Sequence, residues 1–201
     1  MSGTSTDTRA RILCAAEDLV IRDGVSKLTL DAAAHEAGVS KGGILYHFPS
    51  RAALVSAMVQ RFVVSFDADL ARYGALDGGP GDFTRAYLKA TLAPTEEPGD
   101  QRERRLGGAL LAGVASDPEL LTPLRDRFSA WQEAVEADGM PPEVTTIVRL
   151  ASDGIWLSDL FELAPVASEL RTTVGERLLE MVNASASTKR TRRGDRKEVT
   201  G

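Results

Sequence analysis

The residues best suited to chemistry lie in one segment, Leu28–Arg51, which reads LTLDAAAHEAGVSKGGILYHFPSR. Within it, Lys41 carries a positive charge, and Gly42 and Gly43 follow at positions where no side chain holds the backbone away from a partner. Each glycine costs about 1 kcal/mol in a helix interior, so two in succession at a helix start favour close approach of another molecule. A loose turn is the alternative interpretation. The segment therefore indicates a binding surface.

Catalysis and metal binding find no support in the residue types. The chain has two histidines and one cysteine, too few for a zinc site built from clustered Cys and His ligands. A Cys–His catalytic pair would require Cys14 to meet His35 or His47, and the sequence contains no P-loop motif. We therefore predict that the protein is not an enzyme and uses no cofactor or metal.

Two short helices are expected to position the binding segment. Thr29 is a good N-cap residue, and Gly38 stands where that helix must end. Ser40 can cap a second helix that runs to about Phe48. Two short helices joined by a tight turn containing glycine form a helix-turn-helix, whose second helix enters the major groove of DNA.

Apolar residues continue at helical spacing along the rest of the chain, which predicts an all-α fold of about nine helices. A long helix is expected from Arg51 towards Tyr73. The segments 74–82 and 94–100 are rich in glycine, proline and charge, so both are predicted to be loops. Later helices are expected at 83–92, 106–115, 117–137, from 141 to about 160, and after Pro165.

Composition and charge bound the class of protein. The 201 residues are 43% hydrophobic and 26% charged, as in soluble globular proteins of one or two domains. A single cysteine fits a reducing cytosol, and the N-terminus lacks a secretory signal, so a cytoplasmic location with no membrane span is expected. The formal net charge of −5 is uneven, because residues 1–61 are slightly basic, 62–184 strongly acidic and 185–201 basic. A slightly basic N-terminal segment followed by an acidic one predicts two parts of the chain with separate functions.

The run from Arg9 to Leu70 resembles the DNA-binding domain of the tetracycline-repressor (TetR) family of bacterial transcription regulators. The similarity lies in Thr-x-Asp at the second helix, EAGVSKGG across the turn, YHFPSR after it and Ala-Leu in the fourth helix. The resemblance implies an N-terminal three-helix DNA-binding domain at 8–68, with its helix-turn-helix at about 29–48. It also implies a helical regulatory, ligand-binding and dimerisation domain at 69–184. The polar and basic end, 185–201, is predicted to be a disordered tail.

The resemblance also implies which residues contact DNA. Thr29 would meet a phosphate at a helix N-terminus, and Tyr46 and His47 would reach phosphates through their polar tips. Core packing for Tyr46 or His47 and a solvated surface charge for Arg51 are the alternatives. Leu45 departs from the family pattern, which often has Tyr, so one phosphate contact is expected to be missing. The full implied set is Thr29, Ser40, Lys41, Gly42, Gly43, Tyr46, His47 and Arg51.

The two last helices are predicted to form a dimer interface. Helices 142–161 and 166–184 carry apolar residues around more than one face, which predicts burial on several sides. Pairing with a second copy would make a four-helix bundle, and Leu178 is expected to lie in its seam. A thicker core within one chain is the alternative.

The function implied by the resemblance is a dimeric, sequence-specific DNA-binding regulator, typically a repressor that a small molecule releases from a palindromic double-stranded operator. The alternative is a small helical enzyme or scaffold with a fortuitous helix-turn-helix pattern. The candidate ligand-cavity residues are the bulky side chains of the middle helices, for which ordinary core packing is the competing interpretation. They are Phe62, Phe66, Tyr87, Leu110, Phe128, Trp131 and Trp156.

Overall fold

Helices account for all the regular structure in the part of the chain that the computed structural model describes, residues 3–74, 78–93, 98–115 and 119–198. This confirms the predicted all-α class. A short 3-10 helix, Val25–Lys27, lies between the first two α-helices. The α-helices are α1 (Gly3–Asp23), α2 (Leu30–Glu36), α3 (Lys41–His47), α4 (Arg51–Tyr73), α5 (Asp82–Leu92), α6 (Pro98–Val114), α7 (Thr122–Glu136), α8 (Pro142–Leu160) and α9 (Ser168–Glu198).

The chain divides into two compact units. The first combines Met1–Val64 with Thr95–Asp126, and the second combines Ser65–Pro94 with Arg127–Gly201. Helix α6 therefore belongs with the N-terminal helices, a grouping that the sequence did not suggest. The predicted division of the chain into functional domains at 68/69 stays a prediction.

The first unit has a core made by one face of each of its helices. The buried side chains include Ile12 of α1, Ile44 of α3, Leu54 of α4 and Leu110 of α6. Phe48, just after α3, is also fully buried. Burial of these apolar faces supplies the main stabilisation of the unit, at roughly 25 cal/mol per Å².

Helix α6 is fixed to the first unit by charge and by close packing. The carboxylate of Glu17, on α1, is buried between Arg61 Nε at 3.5 Å and Arg102 Nη1 of α6 at 3.2 Å. At the other end of α6, a Cβ on Gly113 would lie 2.3 Å from the Cβ of Val25. Glycine is thus the residue that lets α6 reach the 3-10 helix.

The second unit packs α5, α8 and α9 around a small core, in which Leu88, Met140, Val148, Leu178 and Val182 are buried. The start of α5 is capped from another part of the chain. The carboxylate of Asp138 accepts hydrogen bonds from the backbone N–H groups of Phe83 at 3.1 Å and Thr84 at 2.8 Å. An anionic acceptor at a helix N-terminus satisfies donors that the helix leaves unpaired.

Three helix boundaries differ from the predictions. Helix α6 begins at Pro98, inside the segment predicted to be a loop, because proline is tolerated in a first helical turn and the following QRERR residues favour helix. The described part of α7 begins at Thr122, and the predicted Asp117–Pro118 start lies outside the described residues. The tail was predicted to be disordered, but α9 continues through Glu198. Its Ala, Lys and Arg residues favour helix, and no proline interrupts them.

Candidate nucleic-acid interface

Two local caps shape the helix-turn-helix. Thr29 has extended backbone geometry, and its hydroxyl oxygen accepts a hydrogen bond from the N–H of Ala32 at 3.1 Å. Ser40 does the same for α3, accepting from the N–H of Gly43 at 3.1 Å. Each cap satisfies a backbone donor at a helix start and fixes where the helix begins.

The turn between α2 and α3 depends on Gly38. Its φ is +63°, a left-handed conformation that costs other residues roughly 1 kcal/mol or more. Two hydrogen bonds close the turn, from Gly38 N–H to the His35 carbonyl at 3.1 Å and from Val39 N–H to the Ala34 carbonyl at 2.9 Å. The predicted helix end at Gly38 is therefore confirmed.

Helix α3 presents an open outer face because its inner face is buried. Ile44 and Phe48 are 0% and 1% exposed, and residues roughly half a turn away point outward. Tyr46 is 80% exposed and Leu45 42% exposed. The core-packing alternative for Tyr46 is therefore wrong. The ring of His47 is half-buried and lies edge-on to the Tyr46 ring, with centroids 5.0 Å apart.

Lys41 lies on the open surface at the start of α3. Its Nζ is 3.3 Å from Asp31 Oδ1, and both side chains are 72% exposed. Exposed ion pairs of this kind contribute about 0–1 kcal/mol, so the ammonium group is available to a stronger anion.

Packing within the chain does not require glycine at position 42. Both Gly42 and Gly43 have helical backbone in α3, so the loose-turn interpretation is wrong. A Cβ on Gly42 would have the Ser40 Oγ as its nearest neighbour, at 4.0 Å, and a Cβ on Gly43 would lie 3.3 Å from the same atom. Among the described residues, packing therefore gives no reason for glycine at position 42 of α3.

Arg51 forms hydrogen bonds to the backbone. Its Nε donates to the Leu28 carbonyl at 2.9 Å, and its Nη2 donates to the Val25 carbonyl at 2.6 Å. The guanidinium group thereby ties the start of α4 to the 3-10 helix and to the residue before the Thr29 cap. Arg51 is exposed as well as bonded to the backbone, and the direct phosphate contact stays a prediction.

Three further contacts position the interface, and their geometry cannot be read from the sequence. Arg9 lies over the Phe48 ring, 5.1 Å from its centroid, and Arg11 Nε donates to the Ala37 carbonyl at 3.1 Å. The Ser50 hydroxyl caps α4 by accepting from the Ala53 N–H at 3.1 Å. Only Ser50 had a readable signal, because serine just before an apolar helix is a typical N-cap.

The second unit brings four of the candidate ligand residues together. Phe66 lies edge-on to Trp131 with centroids 4.8 Å apart and to Tyr87 at 5.4 Å. Phe128 contacts Trp131 at 5.0 Å. We call Phe66, Tyr87, Phe128 and Trp131 the aromatic cluster. Phe62 and Leu110 instead pack in the core of the first unit, and Trp156 lies on α8, half-buried.

Polar side chains border the aromatic cluster. The Tyr87 hydroxyl donates to Asp153 Oδ1 at 2.6 Å, and Arg149 Nη1 donates to Asp153 Oδ2 at 2.6 Å. Burial raises the pKa of Tyr87 and also that of Asp153, although the bonds from Tyr87 and Arg149 oppose the rise for the carboxyl group. On α4, Asp67 Oδ1 accepts from the Trp131 indole N–H at 3.0 Å. The cluster therefore combines apolar area with oriented polar groups.

Two absences hold for the described residues. No group of three or more His, Cys, Asp and Glu side chains there could hold a metal ion. None of the helices in that part of the chain is both long and apolar enough to cross a bilayer.

The chain matches two family models. Residues 12–58 match the family described as bacterial regulatory proteins, tetR family. Residues 81–183, more than half of the chain, match the tetracyclin repressor-like C-terminal domain.

Individual relatives agree with these matches. A Mycobacterium tuberculosis protein described as an uncharacterized HTH-type transcriptional regulator is 27% identical over 152 residues, covering 76% of this chain and 72% of the relative. A TetR-family structure from Streptomyces coelicolor is 25% identical, with a TM-score of 0.68 over 86% of this chain and 98% of that one. The multidrug binding protein EbrR, complexed with malachite green, is 27% identical, with a TM-score of 0.62 over 85% and 96%. With its helix-turn-helix, its helical second unit and these matches, the chain belongs to the TetR family of transcriptional regulators.

Proposed function

We propose that this protein is a dimeric repressor in the bacterial cytoplasm that binds a palindromic operator and is released from it by a small-molecule ligand. The observation that carries the proposal is the outer face of α3. That face combines an exposed lysine, an exposed tyrosine and a glycine that packing within the chain does not require. A helix face that is bare, polar at its edges and free of neighbours fits a major groove.

The two capping hydroxyls are suited to phosphate contact. Thr29 and Ser40 use their oxygens as acceptors from backbone N–H groups, and both side chains are exposed. A hydroxyl that accepts in this way keeps its own O–H free to donate. Each could therefore bond a phosphate oxygen without giving up its cap. Such contacts fix the orientation of a protein on the duplex.

Lys41, Tyr46 and His47 complete the proposed contact surface. The Lys41 ammonium would exchange its weak pair with Asp31 for a phosphate. Tyr46 extends its phenol away from the body of the protein, and the edge-on His47 ring supports it from one side. Gly42 and Gly43 would let the α3 backbone approach the groove.

An exposed apolar stripe supports dimerisation. Ile147, Leu150 and Leu157 of α8 and Phe161 just after it are spaced by three, seven and four residues, which places them on one helix face, and all are exposed. Leu170 and Met181 are exposed on α9. Pairing these two helices with their copies would bury the stripe and set two α3 helices for two half-sites.

One earlier expectation about the dimer is wrong. Leu178 was expected in the seam between copies, but it is only 6% exposed and packs in the core of its own unit. Helices apolar on several faces do not reveal which face is covered within the chain. The exposed residues of α8, such as Leu150, are the seam that we propose.

The aromatic cluster supports a ligand that is flat and lipophilic. Phe66 and Phe128 are only half-buried, so they can present ring faces to a guest. EbrR, a similar structure, is described as a multidrug binding protein in complex with malachite green and with ethidium. A thermal-shift screen with aromatic compounds, followed by a test of operator release, would identify such a ligand.

Salt-dependent DNA binding tests the proposal and separates it from the enzyme-or-scaffold alternative. Fluorescence anisotropy would follow binding to the DNA upstream of the protein's own gene over a range of salt concentrations. Lys41→Ala should lower the magnitude of the salt slope of log K by about 1. The matched control is Lys89→Ala, because Lys89 is exposed on α5 in the other unit. Equal slopes for wild type and both variants would contradict the proposed interface.

A further inference from the structure

We infer that Leu45 reads a thymine in each operator half-site through the thymine 5-methyl group. The inference rests on the proposed DNA binding by α3 and names the base that one residue selects. It starts from the exposure of Leu45, which is 42% exposed between two residues of the core, Ile44 and Phe48, that are fully buried.

The neighbours of Leu45 on the helix make its side chain prominent. Long side chains on a helix lean towards its N-terminus, over the residues three and four positions earlier. For Leu45 those residues are Gly42 and Lys41. Since Gly42 has no side chain, the side chain of Leu45 has no neighbour at position 42 that could cover it.

The composition of α3 favours recognition of the bases through apolar contact. Its seven residues, KGGILYH, include no Arg, Asn or Gln. Those side chains, like lysine, make the two-pronged hydrogen bonds that commonly select guanine or adenine. The one lysine of α3, Lys41, is assigned above to a phosphate. Among the outward residues of this helix, Leu45 therefore contributes by shape and apolarity rather than by donors or acceptors.

Thymine is the base that matches such a side chain. Its 5-methyl group is the apolar feature that the four natural bases present in the major groove. Against the other base edges, leucine would cover hydrogen-bonding atoms and offer them no partner, which is unfavourable. Leu45 should therefore prefer a T·A pair with the thymine methyl facing α3.

Replacement of thymine by uracil tests the inference, because it removes only the methyl group. The operator would first be recovered by selecting wild-type binders from random duplexes, and each thymine would then be replaced singly. We expect one position in each half-site at which uracil weakens binding about fourfold, the effect of losing one buried methyl-sized group. Replacement in both half-sites should weaken binding about fifteenfold if the two effects add.

Leu45→Ala supplies the second arm of the experiment. This variant should bind the thymine operator more weakly than wild type and lose the difference between thymine and uracil at that position. Leu45→Met, which keeps an apolar side chain, should retain the difference. Val64→Ala is the matched control, since Val64 is an exposed apolar residue on α4 outside α3, and its uracil profile should equal that of wild type.

The outcomes separate this inference from the proposed function. Sequence-specific binding without a uracil effect at any position would overturn the role of Leu45 alone. The same uracil penalty in Leu45→Ala as in wild type would overturn it too, because another group would then read the methyl. Failure to select any preferred sequence would overturn both the inference and the proposed operator binding.

Discussion

Glycine at position 42 lowers the stability of α3, and the proposed contact with DNA explains why it is there. A side chain there meets nothing closer than 4.0 Å within the protein, and glycine lowers helix stability relative to alanine. A residue that costs stability and fills no tight space is explained by close approach of a partner. Arg51 shows the opposite case, because its guanidinium group bonds carbonyls of its own chain. Of these two residues in the proposed interface, Gly42 is therefore explained by contact with a partner and Arg51 by contacts within the chain.

Gly42→Ala should change stability and DNA binding in opposite directions. The free energy of unfolding should rise by a few tenths to about 1 kcal/mol, because alanine favours helix. Operator affinity should fall, because a Cβ would hold the backbone of α3 off the groove. Urea unfolding and anisotropy titrations on the same preparation would measure both. Unchanged operator affinity in a stabilised variant would show that this position does not face DNA.

Arg51→Ala should act mainly through stability. Its loss would remove the Arg51 donor from the partly buried Leu28 carbonyl and leave the Val25 carbonyl with the Leu28 N–H, at a cost of about 1–3 kcal/mol. Arg51→Lys should recover only part of the loss, since one ammonium group cannot reproduce the guanidinium fork. Urea unfolding would compare the three proteins. A variant as stable as wild type, but with a smaller salt slope, would instead identify Arg51 as a phosphate ligand.

Among the helices, those that are fixed by local contacts could be predicted from the sequence, and those that are fixed by distant contacts could not. The caps by Thr29 and Ser40 and the turn at Gly38 involve neighbours a few residues away, so the sequence predicted α2 and α3 well. The bonds from Arg51 and the contact of Gly113 with Val25 join residues far apart in the chain. No periodic pattern reveals such partners. For the same reason, the sequence did not predict that α6 packs with the N-terminal helices in the first unit.

Gly113→Ala should destabilise the first unit. The added Cβ would lie 2.3 Å from the Cβ of Val25, so α6 or the 3-10 helix must move, at a cost of roughly 1–3 kcal/mol. Gly42→Ala is the matched control, being the same substitution at a helical glycine with open space around it. Thermal melts should show a lower Tm for Gly113→Ala and a Tm no lower than wild type for the control. A raised Tm at position 113 would contradict the packing described for α6.

At the scale of the whole molecule, sequence patterns predicted that α8 and α9 are apolar but not which side each buries. Helix packing within the second unit covers Val148, Leu178 and Val182 and leaves Ile147, Leu150 and Leu157 exposed. That division follows from where α5 lies against them, which is a tertiary choice. The exposed remainder is what a second copy would cover.

Leu150→Arg should therefore give a folded monomer. An arginine in the proposed seam would have to be desolvated without a partner, at a cost of several kcal/mol to association. Circular dichroism should remain helical, while sedimentation equilibrium should show the mass of one chain. Val64→Arg, at an exposed apolar position outside α8 and α9, should sediment like wild type. A dimeric Leu150→Arg protein would place the interface elsewhere.

Binding of this protein to one particular DNA sequence is tested best by the ratio of two dissociation constants at physiological salt. The dissociation constant would be measured for the duplex recovered by selection and for a scrambled duplex of the same composition. We predict binding to the selected duplex at least about 1,000-fold tighter than to the scrambled one, as for specific DNA-binding regulators. Equal affinity for the two duplexes would show that the protein does not recognise a DNA sequence.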